Sequence, residues 1–214
     1  MPRGSHRAGS GVRWPVVGGA IVAIAAVAVA AWFLIGRESA DEVANFSFDI
    51  GKIGGSAIAD RAPESELEEA GDQIRETLDA MYVVGFVDPG KWRNGTFPDI
   101  YDAFTEEAAE KVREDLANLT VGEDAAKIDT VDPITGRLSI RFLVDEEVNL
   151  IAATAHTTFS ANALATDGGN VAIQHDGTYY LEPDGEGWLI NAYDVEGIVT
   201  RVDKPLPDPN ATPE

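Results

Sequence analysis

The chain contains no cysteine. Disulfides therefore contribute nothing to its stability, and thiolate zinc sites are excluded. Histidine is scarce, with His6, His156 and His175 the full set, and no two stand at metal-ligand spacing. There is no G-x-S-x-G elbow to present a nucleophilic serine, and no glycine-rich loop leads into a helix to cradle phosphate. Asp145-Glu146-Glu147 lacks the spaced oxygens and the glycine of a calcium loop. The residues imply no metal and no cofactor. Positive charge is also in short supply: 16 Lys and Arg stand against 37 Asp and Glu, giving a net charge of −21. Such a field repels nucleic acid and anionic headgroups, so nucleic acid is not an expected partner.

What the chain does have is an unbroken apolar run from Val16 to Ile35, with Trp14 and Trp32 near its ends. About 20 helical residues cross a ~30 Å hydrocarbon core. Arg3, Arg7 and Arg13 precede the run, and every acid in the chain follows Arg37. The positive-inside bias then keeps the N-terminus in the cytoplasm and sends the rest outside, a single-pass signal-anchor in the cell membrane. A cleaved signal peptide is the competing reading, with Ala28-Val29-Ala30 as the cleavage motif. Its apolar segment would normally be only ~7–15 residues, and cleavage there would leave a greasy new terminus at Ala31-Trp32-Phe33. Gly19, Ala23, Ala26 and Ala30 share one face of the predicted span, where a second helix, including one from another copy, could approach closely. The same stripe also arises by chance in an alanine-rich span.

The expected organisation is a basic cytoplasmic tail (1–13), a transmembrane helix (14–36), a stalk (37–63), a folded domain (64–200) and a Pro-rich tail (201–214). Phe46–Ile50 reads as a short extended piece within the stalk. Ser65 and Glu68 have capping-box spacing, and Leu67, Ala70, Ile74, Leu78 and Met81 recur at helical spacing behind them. A short helix is expected over 98–104, and Thr105 can cap another whose apolar face is Ala108, Val112, Leu116 and Leu119. After Gly122 the period falls to two. Ile128–Val131 is predicted to turn at Pro133 and Thr135-Gly136 into a strand with Leu138, Ile140, Phe142 and Val144 on one face. The next strand places Ile151, Ala153, Ala155, Thr157, Phe159 and Ala161 on one face, and Thr154, His156, Thr158, Ser160 and Asn162 on the other. Further strands are expected over 171–181, with a bulge at Asp176-Gly177, and over 188–195. Helices first and antiparallel strands afterward describe an α+β domain with its helices on one face of the sheet.

Gly177-Thr178-Tyr179-Tyr180-Leu181, a turn, and Gly187-Trp188-Leu189-Ile190-Asn191-Ala192-Tyr193 form a closing hairpin. In this order of elements it resembles the nuclear-transport-factor-2-like superfamily, also called SnoaL-like cone folds. The resemblance implies helices packed on a curved antiparallel sheet, and, in the members that are enzymes, an Asp, His or Tyr inside the cone. With its N-terminal anchor the chain also resembles the mammalian-cell-entry-associated membrane proteins, which accompany lipid-import machinery in bacterial envelopes.

Several residues are candidates for function. Tyr82, Trp92, Tyr101, Phe142, Phe159, Tyr179 and Trp188 could line the cone, although aromatics in such positions also make ordinary core. His175 with Asp176 could form an acid–base pair. Neighbours on a strand point to opposite faces, however, which favours a surface histidine near a turn. Thr154, His156 and Thr158 form a polar face suited to a partner. The expected function is a membrane-anchored accessory protein that binds an envelope partner, with a SnoaL-like enzyme or a carrier of a lipid-like ligand as the alternative.

Overall fold

The computed structural model describes residues 46–55, 62–92, 94–185 and 187–207. The predicted span, with Gly19, Ala23, Ala26 and Ala30, and the basic tail lie outside the described residues. Among the described residues no helix is long and apolar enough to cross a membrane. The described residues fall in a compact unit running from Ala44 to Glu214.

A five-stranded mixed sheet in the order β1-β2-β3-β4-β5 carries helices on one face. Strand β1 (Asp49–Gly55) runs parallel to β2 (Ile128–Val144), and β3 (Leu150–Ala165), β4 (Asn170–Asp184) and β5 (Gly187–Val202) follow as an antiparallel meander. A parallel pair needs a long crossover, and here the helices supply it. They are α1 (Glu64–Tyr82), α2 (Pro89–Trp92) and α3 (Glu106–Asp115), with a π-helical turn at Val83–Val87 and a 3₁₀ turn at Pro98–Ala103. The expected α+β class holds, but the sheet is mixed and not wholly antiparallel, because β1 precedes the helices and adds in parallel.

The helical stripe of α1 is buried at Ala70, Ile74, Leu78 and Met81. Thr105 caps α3, its Oγ1 accepting from the Ala108 amide at 3.3 Å. On the sheet, Ile140, Phe142, Ala153, Ala155, Phe159, Tyr179, Leu181, Trp188 and Ile190 all face the helices and are buried, whereas Ile151, expected on the same face as Ala153, is exposed where the β2–β3 pairing slips at Leu143/Val144.

Four details differ from the sequence expectations. Helix α1 starts at Glu64 with Pro63 at the N-cap and no side-chain cap, so Ser65 lies inside the first turn. Residues 128–144 form one strand and not a hairpin; Pro133 sits at an irregularity in its pairing with β3. Among the described residues β1 pairs only with Arg137–Phe142, so Pro133 lies beyond the stretch of β2 that is paired on both sides. Asp176 and Gly177 stay in regular register with both neighbouring strands, and the bulge falls at Tyr180/Leu181 against β5. Finally, Phe46–Gly55, in the stretch expected to be stalk, is part of the fold: Phe48 is buried and β1 adds to the sheet edge.

Candidate functional site

A buried polar cluster occupies the space between α1 and the sheet. Tyr82 ends α1, Thr157 lies on β3, and His175 and Tyr179 lie on β4; none is more than 1% exposed. The Tyr82 hydroxyl is 2.7 Å from Thr157 Oγ1, 2.7 Å from His175 Nδ1 and 3.3 Å from the Tyr179 hydroxyl. His175 Nε2 is 3.0 Å from the Asn118 carbonyl oxygen. A carbonyl can only accept, so Nε2 carries the proton and Nδ1 accepts from Tyr82. Tyr82 then accepts in turn from Thr157 and Tyr179. Burial depresses His175 to about 4, partly offset by its bond to Asn118, so the ring is neutral at pH 7. Burial also holds the Tyr82 and Tyr179 phenols well above their usual range.

Glycines make this cluster sterically possible. A Cβ on Gly177 would stand 2.6 Å from the Tyr179 ring and 2.9 Å from its hydroxyl. A Cβ on Gly197, the cross-strand partner of His175, would lie 3.1 Å from the imidazole. Gly177, expected to mark a bulge, instead lets Tyr179 lean back along its own strand until its hydroxyl reaches Tyr82.

Aromatic rings close the cluster off. Phe48, Phe86 and Phe159 lie 4.7, 5.3 and 5.4 Å from the Tyr82 ring, and Phe86 is 4.7 Å from His175. Phe46 packs edge-on to Phe159 at 5.2 Å, over Gly136, where a Cβ would be 2.7 Å from its ring. Asp79 pins this segment, accepting from Ser47 Oγ at 2.7 Å and from the Phe48 amide at 2.8 Å. A ligand could reach Tyr82 or His175 only by displacing a ring.

The expected pocket residues therefore separate. Tyr82, Phe159 and Tyr179 meet. Phe142 and Trp188 pack on each other at 5.7 Å. Trp92 is buried against Phe97 with its indole N–H unpartnered among the described residues. Tyr101 is only half-buried, beneath the Arg113 guanidinium at 5.6 Å. His175 is an interior residue, not the surface histidine expected, because β4 keeps strict alternation through Gly177. Asp176 points out the other side, so the two do not pair. Thr157 joins the cluster although no role was assigned to it; its inward alternation was the available signal.

The opposite face of the sheet is open. Its register aligns Lys52, Ser139, His156, Thr178 and Asp194 in one row, and Gly54, Arg141, Thr154, Tyr180 and Ala192 in the next. A trough of about 860 Å³ follows these rows. The bulge opposite Tyr180/Leu181 leaves Asn191 unpaired in the ladder, and Asn191 reaches the trough's far end, donating to Glu182 at 2.9 Å. Two of the three expected partner-face residues, Thr154 and His156, line the trough; Thr158 lies in a separate hollow with Asp176 and Glu196. Leu143 and Tyr180 stand 51% and 45% exposed along the trough. Lys52, Arg141 and Tyr180 were not singled out from the sequence, although the alternation of β2 already placed Arg141 outward.

No family model and no curated protein matches this sequence. A solved structure described as a "putative aromatic ring hydroxylase" from Novosphingobium aromaticivorans is similar over 66% of this chain and 96% of that one, at 15% identity and a TM-score of 0.41. That protein has the nuclear-transport-factor-2-like (SnoaL-type) fold. A likeness at this level says nothing about chemistry, and it does not bear on the mammalian-cell-entry resemblance.

Proposed function

We propose that the protein is a membrane-anchored, non-enzymatic binding module that holds an envelope protein on the open face of its sheet. The observation that supports this is the contrast between a closed interior and an open trough with exposed Leu143 and Tyr180. Tyr and Arg beside apolar side chains are the residue types that dominate binding energy at protein interfaces. The anchor, as read from the sequence, would fix the module at the membrane surface, so its mechanism is positioning.

The test is a photo-crosslinker (p-benzoylphenylalanine) placed at Thr178 or Tyr180 of the full-length chain in its own membranes. Discrete adducts from these positions, and none from Glu110 on α3, are expected. Adducts that form equally from Glu110, or none from the sheet face, would overturn the reading. Deleting residues 1–36 while preserving export should abolish function, and full activity of a freely secreted domain would refute the anchor's role.

One observation favours the alternative, a carrier or enzyme for an apolar small molecule. Phe46 is only partly buried and lies beside the Tyr82 ring at 6.4 Å, so withdrawal of its segment would uncover that ring. Phe46→Ala with Phe48→Ala should then create saturable binding of N-phenyl-1-naphthylamine where the parent chain has little. Equal binding by both chains would end that alternative.

A further inference from the structure

We propose that the trough seats an extended, acidic segment of the partner protein; this rests on the sheet-face reading above and adds the chemistry of what is bound. The chain carries 37 acids, yet no Asp or Glu lines the trough; Asp194 opposite Thr178 and Glu182 bonded to Asn191 stand at its β5 end, away from Lys52 and Arg141. Lys52 and Arg141 line the trough; Arg137 lies outside it, in a row with Asp49, Thr158, Asp176 and Glu196. Among the described residues Lys52 and Arg141 have no carboxylate partner, as is also true of Lys111, Arg137 and Lys204 away from the trough, whereas Arg75, Lys91, Arg113, Lys127 and Arg201 are each paired. The register brings Lys52 and Arg141 together. Gly54 pairs with Arg141, and the Lys52 side chain lies along Gly54, its Cε 3.7 Å from where a Cβ would be, so Lys52 leans toward Arg141. His156, 3.4 Å from Thr178 Oγ1, adds a polar ring to the floor.

Shape selects an extended segment over a compact ligand. The trough's lining residues come from all five strands, which at ~4.8 Å spacing makes it roughly 19 Å long. That is the reach of about six extended residues at ~3.3 Å each. A small-molecule site encloses most of its ligand, and this trough leaves one side to solvent. Carboxylates at the Lys52–Arg141 end, with an apolar side chain between Leu143 and Tyr180, would satisfy the charge and the exposed hydrophobics together. At physiological ionic strength the repulsion from the rest of the chain is screened beyond ~8 Å, so the local cations decide the contact.

The experiment titrates the full chain, in non-ionic detergent, with a seven-residue peptide alternating Glu and Leu and carrying an uncharged dye, read by fluorescence anisotropy. Saturable binding is expected, weakened about fivefold or more by Arg141→Glu or Lys52→Glu. The milder Arg141→Gln guards against misfolding, Arg75→Glu on α1 should change nothing, and the Gln–Leu peptide should bind at least about fivefold more weakly. Equal binding of the two peptides, indifference to Arg141→Glu, or no saturable binding would overturn the proposal. So would loss of peptide binding to a second copy of the chain, seen as dimers by light scattering that Arg141→Glu dissolves. If the sheet-face crosslinks persist while the peptide fails to bind, the charge inference falls alone. If the crosslinks are absent as well, the sheet-face reading falls with it.

Discussion

The two faces of one sheet have opposite designs. On β3, Phe159 and Thr158 are sequence neighbours, yet Phe159 is 3% exposed among aromatic rings and Thr158 stands in solvent. The inner face of the sheet joins its buried polar side chains to one another: one hydroxyl, Tyr82, ties together Thr157, His175 and Tyr179. The outer face leaves charges without partners and apolar side chains in water. A face whose hydrogen bonds are satisfied has little left to offer a ligand, whereas an unsatisfied one does. The difference separates what holds this fold together from what it can present.

The comparison breaks most visibly at those two neighbours. Phe159→Ala should destabilise by ~3–5 kcal/mol, since rings on several sides leave a cavity that cannot collapse easily. Thr158→Ala should stay within ~0.5 kcal/mol. Urea unfolding of both variants measures the contrast, and comparable losses would mean that the faces are not energetically distinct.

Acid should act next, and through the inner face. His175 has its ordinary value of 6.5 when unfolded and about 4 when folded. Between those values the unfolded chain takes up a proton that the native chain refuses, so the unfolded state gains. The contribution is intact above pH 6.5 and lost as pH falls toward 4, about 3 kcal/mol in total. Asp79 acts in the opposite sense: burial raises its carboxyl, so its contribution is greatest in acid and is lost as pH rises through its folded value. Comparing the parent chain with His175→Gln between pH 7 and pH 4.5 isolates the histidine. The variant should lose less stability over that interval, and an unchanged pH slope would show that the acid sensitivity lies elsewhere.

Much of the inner face was legible from the sequence, and the reason is alternation. A period of two from Leu138 to Val144 and from Ala153 to Phe159 assigns each side chain to a face, because one is buried and the other is wet. The polar cluster was nearly legible. Reading Asp176-Gly177 as a bulge left the direction of His175 open; carrying the alternation back from Tyr179 and Leu181 sends His175 inward. Glycine in a strand signals either a bulge or close approach by another group, and here the Tyr179 ring is what approaches. Gly177→Ala therefore sharpens the point. It should cost ~1–3 kcal/mol by overpacking, with the loss traceable by NMR to the Tyr179 hydroxyl. The trough was not legible, because it requires knowing that β1 adds in parallel and brings Lys52 beside Arg141, a pairing of residues far apart in the chain.

The smallest effect lies at the edge of the outer face, where the C-terminal segment returns to the sheet. Leu206 donates its amide to Asn162 Oδ1 at 2.7 Å and accepts from Asn162 Nδ2 at 3.1 Å, so one side-chain amide pairs with the backbone as a neighbouring strand would. Ala172, the cross-strand partner of Asn162, is 3% exposed although its side of the sheet is otherwise open, which is what a segment crossing Asn162 produces. The expected extended tail thus has a seat, and Pro205 and Pro207 on either side of Leu206 fix the backbone near the shape that seat requires. Asn162→Ala should cost about 1 kcal/mol and speed hydrogen exchange at the Leu206 amide, while Tyr82 and His175 keep their protection. If the inner cluster loosened as well, the two faces would be coupled, and the separation of a satisfied interior from a presenting exterior would fail.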